Sequence, residues 1–173
     1  VNYVKPIIGT EKMGHTYPGA TVPFGAVQLS PETDTISYEL NGKYNGRWVW
    51  YYESGEIWRD ENYFNGREDG YCIEYEVAGN IIEEGGYING EKDGPWKYIG
   101  GDHKEEGNYI IGLKEGQWTH YYSDGTKKFV GNYNQGQLDG KQIHYNVNGT
   151  IKDEQFYTLG IRNKTWRKYD KFG

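Results

Sequence analysis

Short runs of aromatic and β-branched residues alternate with Gly-containing turns along most of the chain. "RWVWYY" at 47–52 and "EIWRDENYF" at 56–64 are two such runs. Runs of this length, bounded by turn signals such as Asn-Gly and Asp-Gly, are typical of β-strands joined in hairpins, because both dipeptides tolerate the positive φ that tight hairpin turns require. The pattern therefore predicts an all-β fold.

The hairpins repeat with a fixed period over residues 37–173. The first glycine of each unit recurs at spacings of 24, 24, 22, 24 and 24 residues, at Gly42, Gly66, Gly90, Gly112, Gly136 and Gly160. A constant period of this length is the signature of a repeat architecture. We predict a single antiparallel β-meander, or solenoid, of about six hairpin repeats of about 24 residues each.

Aromatic side chains occupy equivalent positions in successive units and are the predicted core. Hydrophobic residues make up only 35% of the chain, but aromatic residues reach 17%, and each buried ring removes about 150–250 Å² from water. Cys72 falls in the Trp column, so we predict a small buried hydrophobic residue rather than a reactive thiol. The predicted repeat core is Trp48, Trp96, Trp118, Trp166, Tyr51, Tyr75, Tyr121 and Tyr145.

A second set of rings is the candidate for an exposed aromatic face. Because side chains alternate along a strand, Trp48, Trp50 and Tyr52 are expected to face one way and Tyr51 the other. Trp50, Tyr52 and Tyr98 would then form a row able to stack on sugar rings or grip an extended peptide. The alternative, favoured by the low hydrophobic content, is that these rings also belong to the core of the sheet.

The unit resembles MORN-type repeats, in the divergent bacterial form with the pattern "NGxxxGxWxxYYxxG". Residues 41–55 fit this pattern throughout, and the unit at 111–125 fits it from Gly112 onward. The resemblance covers residues 38–173. It implies a non-catalytic scaffold that contacts proteins or membrane surfaces, and some bacterial relatives are classed as antitoxin-like.

Residues 1–36 do not follow the period and carry a different resemblance. "VKPIIGT" at 4–10 and "GHTYPGATVPFGAVQLSP" at 14–31 resemble the opening of glycoside hydrolase family 92, the calcium-dependent exo-acting α-1,2-mannosidases. Lys5, Ile7 and the stretch 11–13 depart from the family pattern. The resemblance implies the start of an N-terminal β-sandwich domain, with His15 and Tyr17 standing near the sugar pocket.

The same resemblance does not carry the family's activity to these residues. The catalytic acid, the base and the calcium ligands of the family come mainly from regions that the 173 residues do not include, so we expect no enzymatic activity and no cofactor; calcium would matter only if the resemblance were functional. The alternative is a truncated or fused relative that retains carbohydrate contact. The mannosidase-like opening favours a bacterial periplasmic or secreted location.

The opening segment is expected to form strand as well. "TVPFGAVQL" at 21–29 has the composition of a strand, but Pro23 cannot donate a ladder hydrogen bond and so excludes a central, fully paired position. Since repeat arrays need their ends covered, we predict that this segment lies at the edge of the first repeat as a cap.

Two columns of polar residues are candidates for reactive sites. Asp69, Asp93, Glu115 and Asp139 each precede the second glycine of a unit, where Asp is an ordinary turn former; we predict a turn role rather than an acid–base pair. His120 and His144 share a column, but equivalent residues of successive hairpins lie about 10 Å apart, too far to bind one zinc together. No catalytic and no metal site is predicted.

Net charge narrows the class of partner. The chain carries a formal charge of −6 and has a pI of about 5.3, which disfavours binding to a phosphate backbone. No apolar run approaches the roughly 20 residues of a membrane-spanning helix. The expected partner is therefore a protein, or a glycan, and not a nucleic acid.

Overall fold

The computed structural model describes residues 24–26, 39–102 and 104–170, and every regular element in these ranges is a β-strand. The all-β prediction is confirmed. No helix in these ranges is long and apolar enough to span a membrane. The strands are β1 (Phe24–Ala26), β2 (Glu39–Leu40), β3 (Lys43–Tyr44), β4 (Gly46–Tyr52), β5 (Ile57–Phe64), β6 (Arg67–Glu68), β7 (Gly70–Tyr75), β8 (Ile81–Ile88), β9 (Glu91–Tyr98), β10 (Lys104–Ile110), β11 (Leu113–Tyr121), β12 (Lys127–Asn134), β13 (Gln137–Tyr145), β14 (Ile151–Thr158) and β15 (Ile161–Lys168).

Thirteen of the strands form one antiparallel sheet that follows the order of the chain. The order is β1-β4-β5-β7-β8-β9-β10-β11-β12-β13-β14-β15, and β6 also pairs with β5. β2 and β3 form a separate two-stranded ladder. From β7 to β15 each strand pairs with the next strand along the chain, which confirms the predicted meander of hairpins.

The opening segment contributes the first strand of the sheet. β1 pairs with β4 in antiparallel register, with Gly25 opposite Tyr51 and Ala26 opposite Trp50. Among the strands that the structure describes, β4 is its only neighbour, so the predicted edge position is confirmed for Phe24–Ala26. His15 and Tyr17 lie outside the described residues.

The first turn of each unit has the geometry that its glycine predicts. Both central residues have positive φ, as a two-residue type I′ hairpin turn requires. Each turn also hydrogen-bonds to the unit before it, as when the Gly90 N–H donates to the Glu68 carbonyl at 2.8 Å and the Gly112 N–H to the Lys92 carbonyl at 2.8 Å. Successive hairpins are thereby stacked by backbone bonds as well as by side chains.

One of these turns carries a residue that its conformation disfavours. Ile111 has φ 50° and its side chain is 72% exposed, whereas the equivalent positions in the first three units are Asn41, Asn65 and Asn89, which adopt positive φ more readily. We expect Ile111→Asn to raise the free energy of unfolding by about 1 kcal/mol. Urea unfolding at low protein concentration measures it, and a loss of stability would contradict the turn geometry.

Candidate functional site

The two deepest tryptophans lie flat over glycines of the preceding strand. Trp96 and Trp118 are 1% and 0% exposed, and a Cβ built on Gly85 or Gly107 would come closer than 3.0 Å to the respective indole ring. The indole N–H of Trp96 donates to the Gly86 carbonyl at 2.9 Å, and that of Trp118 to the Asn108 carbonyl at 3.1 Å. Each indole therefore packs directly on the backbone of the neighbouring strand. We call the side of the sheet on which Trp96 and Trp118 lie the aromatic–charged face, because charged side chains lie among its rings, as described below.

Gln142 makes the same side-chain hydrogen bond to a backbone carbonyl as Trp96 and Trp118, although it has no ring. Its Nε2 donates to the Asn132 carbonyl at 3.2 Å, ten residues earlier in the chain, as Trp96 and Trp118 do. Its side chain is fully buried, and Phe129 occupies part of the space above Gly131 that an indole would fill. The core is thus continued in this unit by an amide and a phenyl ring in place of an indole.

Trp166 corrects the predicted core. It was expected to be buried, but it is 49% exposed. Two differences explain this: Gln155, not a glycine, lies opposite Trp166, and β15 has β14 as its only neighbour within the described part of the sheet. Trp48 lies opposite Glu61 rather than glycine and is nevertheless buried, at 6% exposed, because it contacts the rings of Tyr44 and Trp50 at its sides.

The predicted tyrosine core is only half-buried. Tyr121 donates to Glu106, whose side chain points away from the adjacent Glu105 because side chains alternate along a strand; Tyr121 therefore lies on the sheet face opposite the indole rings. The prediction placed four tyrosines in the core, and the structure gives all of them intermediate exposure: Tyr51, Tyr75, Tyr121 and Tyr145.

The candidate exposed rings are also half-buried, and the structure corrects the idea of an open row. The Trp50 indole N–H donates to Glu61 Oε1 at 2.6 Å, and the Tyr52 hydroxyl donates to the Tyr75 carbonyl at 2.6 Å. Tyr98 stacks on Trp96 with ring centroids 5.9 Å apart. All three rings therefore have polar or aromatic partners within the chain.

Charged side chains are interleaved with the rings at the first repeats. The Arg59 guanidinium lies 2.7 Å from Glu61 and 3.7 Å from Glu74. Glu61 also accepts from Trp50 and, at 2.9 Å, from the Tyr63 hydroxyl. Burial raises the pKa of Glu74, and the neighbouring Glu83 raises it further. Arginine, carboxylates and indoles thus form one connected cluster.

Two lysines cover the buried indoles, a feature that sequence reasoning missed. Lys92 Nζ lies 3.7 Å from the centroid of the Trp96 ring and donates to the Tyr98 hydroxyl at 2.9 Å. Lys114 Nζ lies 3.7 Å from the centroid of the Trp118 ring. Cation–π contacts of this kind are favourable when the ammonium is partly desolvated. The signal was the recurrence of Lys four residues before Trp in both units.

Glu105 is the most strongly perturbed carboxylate of this face. Its carboxylate is buried, 3.0 Å from Lys114 Nζ and 2.8 Å from His120 Nε2. Burial alone would raise the pKa of Glu105, but the bonds to His120 and Lys114 outweigh burial and hold it at about 2. The ionised form is therefore stabilised by folding.

The stability of the chain is expected to depend on pH through Glu105. Because its pKa is lower in the folded than in the unfolded chain, its contribution is complete above the ordinary glutamate pKa of about 4.3 and is lost as the pH falls toward about 2. Glu105→Gln should therefore lower the melting temperature at pH 6, and the difference from the parent should shrink below pH 4. Glu53→Gln, in an exposed turn, is the control, and equal pH profiles of the parent and Glu105→Gln would contradict this assignment.

The two histidines of the column are separated by an aromatic ring. Phe129 lies between the two imidazoles, with ring centroids 4.9 Å from His120 and 5.0 Å from His144. Burial lowers the pKa of His144. Within the described ranges, no group of three or more His, Cys, Asp or Glu residues could hold a metal ion.

The structure corrects the prediction that the carboxylate column lies in turns: Asp93, Glu115 and Asp139 lie within strands β9, β11 and β13 and are half-buried. Each side chain accepts a bond from the backbone N–H at the first turn of the following unit: Asp69 from Asn89 at 3.1 Å, Asp93 from Ile111 at 3.2 Å, Glu115 from Gln135 at 2.8 Å and Asp139 from Leu159 at 3.2 Å. These carboxylates therefore link successive hairpins.

Cys72 is buried, as predicted, at 1% exposed. Burial raises the pKa of its thiol to about 11. Since the thiolate is the reactive form, this environment suppresses both nucleophilic and redox chemistry.

One comparison with known proteins bears on the opening of the chain. Residues 3–58 match the N-terminal domain of glycosyl hydrolase family 92. The match covers about a third of the chain and continues past residue 36, through β4 and into the start of β5. No curated protein matches the chain at a significant level.

The matched stretch thus includes part of the aromatic–charged face. It contains β1, the first hairpin turn, and the strand that carries Trp48 and Trp50. The opening resemblance and the repeat pattern therefore overlap within the first repeat.

Proposed function

We propose that the chain is a non-catalytic, MORN-type repeat scaffold that binds a protein partner. The proposal rests on the aromatic–charged face. There the carboxylates that could take part in catalysis are bonded to neighbouring side chains of the same sheet. Glu61 is held by Trp50, Tyr63 and Arg59, and Glu105 by Lys114 and His120. A residue fixed in this way contributes to the sheet and is poorly placed to transfer protons.

The contrast with glycoside hydrolysis supports the same conclusion. Inverting hydrolysis needs a protonated acid and an ionised base about 6.5–9.5 Å apart, with space for water between them. Members of the carboxylate column, such as Asp69 and Asp93, instead accept hydrogen bonds from the backbone of the first turn of the next unit. In this proposal residues 1–36 contribute a capping segment, and residues 37–173 form the repeat body.

An activity assay separates the scaffold from an enzyme. The full chain is incubated with an α-1,2-linked mannobiose, with calcium and with chelator, and free mannose is measured. We expect no release above that of heat-denatured protein in either condition. Calcium-dependent release that is lost in a His15→Ala variant would overturn the proposal.

Binding is tested by cross-linking in the native host followed by reconstitution with the purified partner. We expect one protein to bind saturably to the full chain, without added cofactor. If no cross-linked protein binds the purified chain in solution, the scaffold proposal fails.

A second candidate, carbohydrate binding, is favoured by the position of the opening segment. The family 92 match includes β1, and β1 places Ala26 opposite Trp50. A glycan held by the opening residues would therefore lie near the first indoles of the sheet. In this second candidate the protein acts in the bacterial periplasm or outside the cell, and calcium is an additional ligand.

A glycan array tests this candidate with two matched variants. Binding that is lost in Trp50→Ala, but kept in Trp166→Ala at the far end of the sheet, would favour carbohydrate contact. Absence of glycan binding in the parent protein would exclude it.

A further inference from the structure

Five Asn-Gly dipeptides occur in the chain, and one of them differs from the others in its surroundings. Three begin the first turns of their units, with positive φ at the asparagine, and a fourth contains the buried Asn45. The fifth is Asn148-Gly149, in the turn between β13 and β14, where Asn148 is exposed and does not have a positive φ. We call residues 146–150 the Asn148 turn.

Two donors of the Asn148 turn hold the asparagine side chain by its oxygen. Thr150 donates to Asn148 Oδ1 from its backbone N–H at 3.1 Å and from its hydroxyl at 2.7 Å. The Asn146 side-chain amide donates in turn to the Thr150 hydroxyl oxygen at 3.0 Å, which leaves the hydroxyl proton directed at Asn148. The side-chain carbonyl of Asn148 is therefore polarised by two hydrogen bonds.

This arrangement favours a reaction that an Asn-Gly dipeptide undergoes without an enzyme. The Gly149 backbone nitrogen loses its proton and attacks Asn148 Cγ, and the side-chain nitrogen takes up a proton and leaves as ammonia, which closes a succinimide ring. Water then opens the ring at either carbonyl and gives aspartate or isoaspartate. Glycine has no Cβ to hinder the attack. Negative charge develops on Oδ1 during the attack, where the two Thr150 donors already point.

The equivalent turn of the preceding unit shows that the same donors stabilise negative charge. There Asp124 Oδ1 accepts from the Thr126 backbone N–H at 2.8 Å and from the Thr126 hydroxyl at 2.6 Å, and these bonds lower the pKa of Asp124. The backbone matches as well, since the Gly125 and Gly149 N–H groups each donate to the carbonyl three residues earlier at 2.9 Å. An aspartate at position 148 therefore fits this turn.

Two of the other dipeptides are held by bonds between repeats. The Gly66 N–H donates to the Tyr44 carbonyl at 2.8 Å. The Gly90 N–H donates to the Glu68 carbonyl at 2.8 Å. Freeing either nitrogen separates two hairpins, whereas the Gly149 N–H is bonded within its own turn and is freed when that turn alone opens. Local opening of one exposed turn costs less free energy than separation of packed strands.

We propose that Asn148 is a modification site at which the chain deamidates spontaneously, with water as the only co-reactant. The product carries one more negative charge, at the turn between β13 and β14. The aspartate form keeps the bonds from Thr150, as Asp124 shows for Thr126. The isoaspartate form lengthens the main chain by one carbon and disturbs the turn. The reaction needs no partner and is independent of the proposed binding function.

Peptide mapping by mass spectrometry, on the full chain incubated in mildly alkaline buffer, tests the site. The same incubation in concentrated urea gives the rates of the unfolded chain, in which Asn65, Asn89 and Asn148 should convert at similar rates because each precedes glycine. We expect folding to slow the conversion of Asn65 and Asn89 and not that of Asn148. Equal slowing of all three sites by folding would overturn the proposal.

Substitutions of Thr150 separate the effect of its hydroxyl from simple exposure of the turn. Thr150→Val keeps the shape and the backbone N–H, and it should slow conversion of Asn148 about tenfold, the loss expected for one hydrogen bond to a developing charge. Thr150→Ser should restore the parent rate. Thr158→Val, which removes an exposed hydroxyl at the other end of β14, is the matched control and should leave the rate unchanged. Conversion of Asn148 at the parent rate in Thr150→Val would contradict the proposal.

Discussion

Trp118→Ala is expected to lower the free energy of unfolding by about 3–5 kcal/mol. Trp118 is fully buried, lies over Gly107, and is covered by Lys114 at 3.7 Å. Its removal would leave a cavity over the backbone of the neighbouring strand. The indole bond to the Asn108 carbonyl would be lost as well, leaving a buried acceptor.

Trp166→Ala is the matched control for this substitution. Trp166 occupies the equivalent column but is 49% exposed, so its truncation should cost less than half as much as that of Trp118. Urea unfolding followed by far-ultraviolet circular dichroism measures both variants. Equal losses for the two tryptophans would contradict the assignment of Trp118, and not Trp166, to the core.

Gly107→Ala is expected to destabilise the chain by about 1–3 kcal/mol, and by more if the ring cannot shift. A single added methyl group would come closer than 3.0 Å to the Trp118 ring. The ring in turn contacts Tyr109, with centroids 5.0 Å apart, and Lys114 lies over it. Movement of the indole would therefore disturb these neighbours.

Gly100→Ala provides a glycine control within the same repeat region. Its added Cβ would lie 3.4 Å from the Ile82 side chain, an ordinary contact distance, and Gly100 does not have a positive φ. We expect this variant to be within about 0.5 kcal/mol of the parent. If Gly107→Ala were as well tolerated as Gly100→Ala, the close packing of indole on glycine would be wrong.

The periodic features of the fold were predictable because the same residue types recur at equivalent turn and core positions in successive repeats. The glycines of the first turn predicted the hairpins, and the Trp column predicted Trp48, Trp96 and Trp118 as core. The glycines under the rings were missed, although Gly85, Gly107 and Gly131 also recur at spacings of 22 and 24 residues. These glycines are required by close approach of a ring and not by a turn, and only the cross-strand register reveals that.

The failures of prediction lie where one unit departs from its neighbours. Trp166 fits the column, but its exposure depends on Gln155 across the ladder. Beside Gln142, Phe129 and Leu138 stand at the positions that Glu105 and Lys114 occupy beside Trp118. The ion pair and the indole were thus replaced together. A single column examined alone cannot predict such a coupled change, since the compensating residues lie on neighbouring strands.

The charged cluster of the aromatic–charged face was not predicted from the sequence, for a related reason. Arg59 and Glu61 lie two residues apart on β5, but Glu74 lies on β7, and its position in the sequence does not place it beside them. Their contacts follow from the antiparallel register, which sets Arg59 opposite Glu74 and Trp48 opposite Glu61. Once formed, the cluster uses its carboxylates to hold indoles and arginine, which is the basis of the proposed non-catalytic function.

Hydrogen exchange of the indole N–H groups tests most directly whether this face is a packed core. In a two-dimensional NMR experiment on the full chain, the Trp96 and Trp118 indole protons should exchange only through unfolding, because both are buried and bonded to backbone carbonyls. The Trp166 proton should exchange orders of magnitude faster. Rapid exchange of the Trp96 and Trp118 protons, at the rate of Trp166, would mean that the rings form an open surface and would contradict the account.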